Sequence, residues 1–271
     1  MKVEISTNHW LRPKQTPADI AVEKAVQLGF KHIQIGTPHF TGDLDRIVEL
    51  RKKHKLTYSV HSPFFAEKGF IATPSYKDSK NLDRSRKIYM ESLKNSHFVG
   101  AKKMVIHASE PHHHEGVPQL IESLDILAPK AEELGITLCL ENKFQPSEVG
   151  YTEHDLWGVL KTVEHPNVKM CFDTAHAAAA LGSITQMLDF LKDMAPFIAD
   201  VHLVPVSTYK RTDVHMAPDP DEYYYDNVVK ILKDAKYKGD LTFESVYDTD
   251  QHILKGMKYI QGLLKKYGVD K

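Results

Sequence analysis

The sequence predicts an α/β fold, a single (β/α)8 TIM barrel over residues 1–271. Two observations carry this. Short β-type apolar runs alternate with longer amphipathic stretches along the whole chain, and there are eight of the short runs. Strand, helix, strand at this regularity implies parallel pairing through right-handed crossovers, and eight such units close into a barrel. An open doubly wound sheet is the runner-up. No Gly-rich phosphate fingerprint is present, which argues against a dinucleotide cofactor in either arrangement.

The strand candidates are VEIS (3–6), HIQIG (32–36), LTYSV (56–60), KMVIH (103–107), ITLCLE (136–141), VKMCF (168–172), IADVHL (198–203) and LTFES (241–245). Helical periodicity lies between them in PADIAVEKAVQLGF, LIESLDILAPKAEELG, DLWGVLKTV, ITQMLDFLKDM and YDNVVKILKDAK, several of which close on a glycine where a C-cap would fall. With no linker, low-complexity tract or shift in composition, one domain is expected.

Composition bounds the function. At 271 residues and 42% hydrophobic content the chain can bury one large core. Lys plus Arg number 35 against 36 for Asp plus Glu, a net charge of −1, so no general field draws the chain to nucleic acid or membrane. The start MKVEISTNHW has no charged segment followed by an apolar one, and no apolar run approaches the roughly 18 residues of a membrane span. A cytoplasmic protein is expected. Cys139 and Cys171 sit inside apolar strand-like runs and read as reduced, buried thiols.

The 16 histidines are the compositional oddity, and their placement is informative. Active sites of such barrels form at the C-terminal ends of the strands. There the third strand offers His61, the fourth His107, the fifth Glu141, and the sixth Asp173 and His176. The seventh offers His202, with Asp213 and His215 in its loop, and the eighth offers Glu244. Any one of these reads as a structural residue taken alone. Nine imidazoles and carboxylates at one rim would repel and be costly to desolvate without divalent cations, and oxygen and nitrogen donors without thiolate suit catalytic zinc, manganese or iron.

Strand by strand, these nine residues resemble the ligand set of endonuclease IV, the zinc-dependent abasic-site nuclease (AP endonuclease family 2) within the xylose isomerase-like barrels. The resemblance implies three Zn2+ ions: one held by His61, His107 and Glu141, a second by Glu141, Asp173, His202 and Glu244, and a third by His176, Asp213 and His215. It implies phosphoester hydrolysis by a metal-activated water, with abasic DNA or another phosphoester as substrate.

Several loops depart from that family. ENKFQPSEVGY stands where a GQGS-type loop is usual, LVPVS follows His202 in place of an Asn-Asp pair, ESV replaces ETP, and the first loop lacks the Gly-rich turn while carrying His9 and Trp10. Candidate substrate contacts are His9, Trp10, Phe64 and Arg211. Phe65, Lys210, Lys68, Lys77, Lys80, Arg84 and Arg86 are further candidates for a DNA surface.

The alternative is a sugar or sugar-phosphate isomerase or epimerase of the same superfamily. It would use Glu141, Asp173, His202 and Glu244 for one Mn2+, Co2+ or Mg2+, with Glu141 and Glu244 as catalytic acid/base pair. A third class is a non-catalytic metal- or sugar-binding barrel. The run His112, His113, His114 reads as a loop, and Asp200 is expected on the inward face beside His202, as partner to a ligand or to a buried lysine.

Overall fold

The computed structural model describes residues 1–271 except 12–15, 37–41, 64–69, 111–114, 208–211, 214, 247 and 271, and describes only the backbone of 11, 153, 207, 212 and 213. The chain begins with β1 (Lys2–Ser6), a short α1 (Asn8–Leu11) and α2 (Ala18–Gln27). Then β2 (His32–Ile35) is followed by α3 (Leu44–His54), β3 (Thr57–His61) by α4 (Ser79–Val99), and β4 (Lys103–His107) by α5 (Val117–Glu133). Next come β5 (Thr137–Glu141) with α6 (Glu153–Val163), β6 (Val168–Asp173) with α7 (Thr174–Leu181) and α8 (Ile184–Met194), and β7 (Ile198–His202). An antiparallel ribbon of β8 (Val206–Ser207) and β9 (Thr212–Asp213) precedes α9 (Tyr224–Asp234), β10 (Asp240–Phe243) and α10 (Asp250–Lys266).

The eight longer strands form a closed parallel barrel in the order β1-β10-β7-β6-β5-β4-β3-β2. All eight expected runs become barrel strands, with ends shifted by two residues at most. The open doubly wound sheet is not formed. The small ribbon was not expected, because two-residue strands leave no periodicity to read.

Two faces of each strand explain the barrel. Ile5, Ile33, Val60, Met104, Ile106, Leu138, Leu140, Met170, Phe172, Val201, Leu241 and Phe243 are buried and belong to one apolar cluster with the helices. Each such side chain contributes roughly 1.5–3 kcal/mol on burial. The alternate positions include Glu4, Gln34, Ser59, His61, Glu141, Asp173, Asp200, His202 and Thr242, also buried. Barrel interiors are usually filled by branched apolar side chains. This one is polar from the rim well into the barrel, with Val105, Cys139 and Cys171 as a small apolar cluster among the strands.

Side-chain caps start the helices where the strands end. Asp43 accepts from Arg46 N, Asp78 from Asn81 N, and Thr152 forms a capping box with Asp155. Gly100, at φ +82, closes α4 in the left-handed region open to glycine. Among the described residues no helix is long and apolar enough to cross a membrane.

Candidate metal centre

Asp173 lies opposite His202 in the β6–β7 pairing, and His107 opposite Glu141 in β4–β5, so parallel register alone sets these groups side by side. His202 Nδ1 is 3.1 Å from Glu244 Oε2, 3.3 Å from Glu141 Oε1 and 3.9 Å from Asp173 Oδ2. Donors sharing one ion at metal–ligand distances near 2.1 Å stand about 3–4 Å from one another. The three distances from His202 Nδ1 fall in that range.

The other oxygen of each carboxylate is engaged by protein. Asp173 caps α7, its Oδ1 accepting from His176 N at 2.7 Å. Glu244 Oε1 accepts from Asn8 Nδ2 at 2.9 Å. Glu141 Oε2 faces His61 Nε2 at 3.1 Å and His107 Nε2 at 3.3 Å. Left over are Glu141 Oε1 and His202 Nδ1, buried and without a hydrogen bond among the described residues. Buried polar atoms are rarely orphaned unless water, an ion or a ligand completes them. This donor set fits a divalent cation.

His61, Glu141, His202 and Glu244 form one group of mutually close donor atoms, and Glu141, Asp173 and His176 another. His61 Nε2 also lies 3.7 Å from Glu244 Oε1, between the two glutamates. These groupings cut across the partition that the resemblance implies. His61 groups with Glu141, His202 and Glu244, and His176 with Glu141 and Asp173, its Nδ1 turned to Asn142 O at 2.8 Å and Glu141 Oε1 at 3.5 Å. His215, at φ +43, belongs to no such group among the described residues. The side chain of Asp213 lies outside them.

The charges are mutually supporting. Burial works against ionisation of Glu141, but the imidazoles of His202 and His107 hold it well below the usual carboxylate range. Burial likewise opposes the charge of Glu244, and His61 and His202 hold it low. His107 is opposed by burial and by Lys143, yet the Glu110 and Glu141 carboxylates raise its pKa to about 10. Imidazolium protons thus balance the carboxylates, and a divalent ion would release them on binding.

The candidate substrate contacts divide. His9 and Trp10 lie on α1 behind the rim: His9 Nε2 is 3.0 Å from Asp250 Oδ1, and Trp10 is buried in the apolar core with its ring edge on His9. Their neighbour Asn8 makes the contact to Glu244 instead. Phe64 and Arg211 lie outside the described residues, as do Phe65, Lys68, Lys210 and the His112–His114 run. Of the candidates for a DNA surface, Arg84 lies over the Phe70 ring and Arg86 bonds Ser123 and Glu122.

Sequence reasoning missed Asn8, Gln34, Glu110, Asn142 and Lys143. Asn142 holds the end of β6, exchanging two hydrogen bonds with the Asp173 backbone. Glu110 fixes His107 through Nδ1. Lys143, buried, reaches His107 Nδ1 at 3.4 Å and Glu148 at 3.6 Å. The one available signal was adjacency, since each lies within three residues of a recognised ligand or of His9. Gln34 had none. Asp200 does both things considered for it: its Oδ1 accepts from Lys103 at 2.7 Å, and its Oδ2 lies 3.4 Å from Gln34 Nε2, which in turn is 3.1 Å from His202 Nε2.

The fold is shared with solved sugar epimerases. A D-tagatose 3-epimerase-like protein is 17% identical and has a TM-score of 0.81, over 99% of this chain and 98% of its own. D-psicose 3-epimerase from Clostridium cellulolyticum H10, solved with D-tagatose, is 17% identical with a TM-score of 0.77, over 97% and 99%. The IOLI protein, solved with a bound zinc atom, is 15% identical with a TM-score of 0.77, over 98% and 99%. At such identities the likeness is one of fold. No curated protein sequence matches the chain. A family model described as xylose isomerase-like TIM barrel matches residues 22–267, and the chain belongs to that family.

Proposed function

We propose that this protein is a metal-dependent isomerase or epimerase acting on a small ketose or ketose phosphate. The observation that carries the reading is the placing of Glu244, Glu141 and Asp173 around His202 Nδ1, at 3.1, 3.3 and 3.9 Å, with Glu141 Oε1 and His202 Nδ1 lacking a hydrogen bond among the described residues. The sugar epimerases that share the fold support it, and favour it over the abasic-site hydrolase implied by the resemblance to endonuclease IV. A divalent ion held by these four would polarise the substrate carbonyl and acidify the adjoining C–H bond. Glu141 and Glu244 approach from different strands, so one can take the proton from that carbon and the other can return one to the opposite face. His176 donates Nδ1–H to Asn142 O, and Phe144 stacks on its ring at 5.1 Å.

A second reading, phosphoester hydrolysis, is favoured by one feature. His61 and His107 both address Glu141 Oε2, as ligands of a second ion would. Elemental analysis of untagged protein, followed by assay against a panel of ketoses in D2O, separates the two. One Mn, Co or Mg per chain with solvent deuterium entering a ketose supports the isomerase. About three zinc ions, no such exchange and cleavage of a phosphodiester would replace it with the hydrolase.

A further inference from the structure

His202 presents different nitrogens to two environments. Nδ1 faces the carboxylates of Glu141, Asp173 and Glu244, and Nε2 faces Gln34, a fully buried residue on β2. An imidazole that gives its Nδ1 lone pair to a metal carries its proton on Nε2, and that proton needs an acceptor. Gln34 Nε2, at 3.1 Å, is a donor, whereas Gln34 Oε1 is buried and has no partner among the described residues. A half-turn of the amide about its last side-chain bond exchanges the two ends, so one motion gives Oε1 a donor and the Nε2–H of His202 an acceptor.

The surroundings permit this turn. It replaces the 3.4 Å contact of Gln34 Nε2 with Asp200 Oδ2 by an approach of two acceptor oxygens, and the Asp200 charge that opposes this is met by Lys103 at 2.7 Å. Lys103 is itself shared with Asp240 at 2.8 Å, and Thr242 lies 3.5 Å from Asp200. Asp200 thus keeps Lys103 as its partner after the turn.

We propose that Gln34 is a positioning residue for His202, its amide oxygen accepting the Nε2 proton so that Nδ1 is left to bind a metal beside Glu141, Asp173 and Glu244. This rests on the reading of His202 as a ligand. The test uses zinc-loaded protein with 15N-labelled histidine, and zinc affinity by competition with a chelator, for wild type, Gln34→Leu, Gln34→Glu and His202→Ala. In wild type the His202 resonances, identified by their absence from His202→Ala, should show zinc on Nδ1 and a slowly exchanging proton on Nε2. Gln34→Leu, which has no acceptor, should bind zinc roughly 10- to 100-fold more weakly and lose the slow exchange. Gln34→Glu, which restores an acceptor, should recover both.

Zinc on Nε2 in wild type overturns the proposal without any variant, so a Gln34→Leu protein that fails to fold does not shield it. Wild-type affinity and slow exchange in Gln34→Leu also overturn it. If His202→Ala instead binds zinc as tightly as wild type, it is the metal-site reading that fails.

Discussion

Glu141 Oε1 and His202 Nδ1 stand 3.3 Å apart, both fully buried and neither hydrogen-bonded. Without an ion, a proton on His202 offsets the Glu141 charge at this contact, and each polar group left without a hydrogen bond in a protein interior costs about 1–3 kcal/mol. A bound cation removes that cost, so metal should stabilise the fold as well as supply chemistry. Dialysis against a chelator should lower the melting temperature, and Mn2+ or Zn2+ at about 100 times its Kd should restore roughly 2.7 kcal/mol of stability. Calorimetry with and without metal measures this. An unchanged melting temperature on adding metal would mean the site does not bind one.

Replacing Glu141 or Glu244 with Gln keeps the size of each side chain and removes the charge and the proton acceptor. Turnover of a ketose substrate should fall by about 10²–10⁴-fold in each variant. Solvent deuterium exchange separates the roles: the variant lacking the base for a given substrate epimer should lose exchange at the carbon beside the carbonyl from that side alone. Equal exchange from both epimers in either variant counts against a two-base arrangement.

His107 discriminates between one ion and several. Its Nδ1 is tied to Glu110 and its Nε2 faces Oε2 of Glu141, not the Oε1 that faces His202. With a single central ion, His107→Gln should keep the metal content of wild type and show a raised KM. If the variant loses one ion of several, His107 is a ligand and the centre is polynuclear. Metal analysis of the purified variant is sufficient to decide.

The barrel and the rim were legible in the sequence for different reasons. Strand identity came from apolar alternation, which survives because one face of each strand, from Ile5 to Phe243, must bury against helices. The central donors were legible because parallel register carries any residue closing a strand to the same rim, as Asp173 and His202 illustrate. The groups supporting them were not. Gln34 and Asn8 act across the barrel on residues 168 and 236 positions away, and no local pattern encodes such a meeting. On α1 it is Asn8 that reaches Glu244, while His9 faces Asp250 and Trp10 packs into the core.

Gly36 and Asn8 should behave as one unit. A Cβ at position 36 would stand 2.2 Å from Asn8 Oδ1, so glycine is what lets the Asn8 amide reach Glu244. Gly36→Ala must push the amide aside and break its 2.9 Å bond to Glu244 Oε1. Asn8→Ala removes the same bond directly. Each should lower kcat/KM by about tenfold, equivalent to a hydrogen bond to a charged group of roughly 1.5 kcal/mol, and the double variant should be no worse than either alone. Additive losses would show that Gly36 matters for another reason.

The polar interior below the centre makes stability depend on pH in a direction that can be worked out. Burial pushes the Glu4 carboxyl up to about 8, with Lys103 opposing and Asp240 and Asp200 adding to the rise. Ser59 and Thr242 donate to its Oε2 at 2.9 and 2.7 Å. In the unfolded chain Glu4 ionises near its ordinary 4.5. A group whose pKa is raised by folding contributes stability that is whole below the unfolded value and is lost as pH rises through the folded one. Glu4→Gln stays neutral throughout and keeps an oxygen for both hydroxyls. Its melting temperature should match that of wild type near about pH 4.5, exceed it increasingly up to about pH 8, and keep a constant lead above that. Removing the cation instead, by Lys103→Met, leaves Asp200 and Asp240 without their shared partner and should destabilise by about 3–5 kcal/mol. A Glu4→Gln difference that is constant across the pH range would show that Glu4 is ionised in the fold at every pH tested, with Lys103 outweighing its burial.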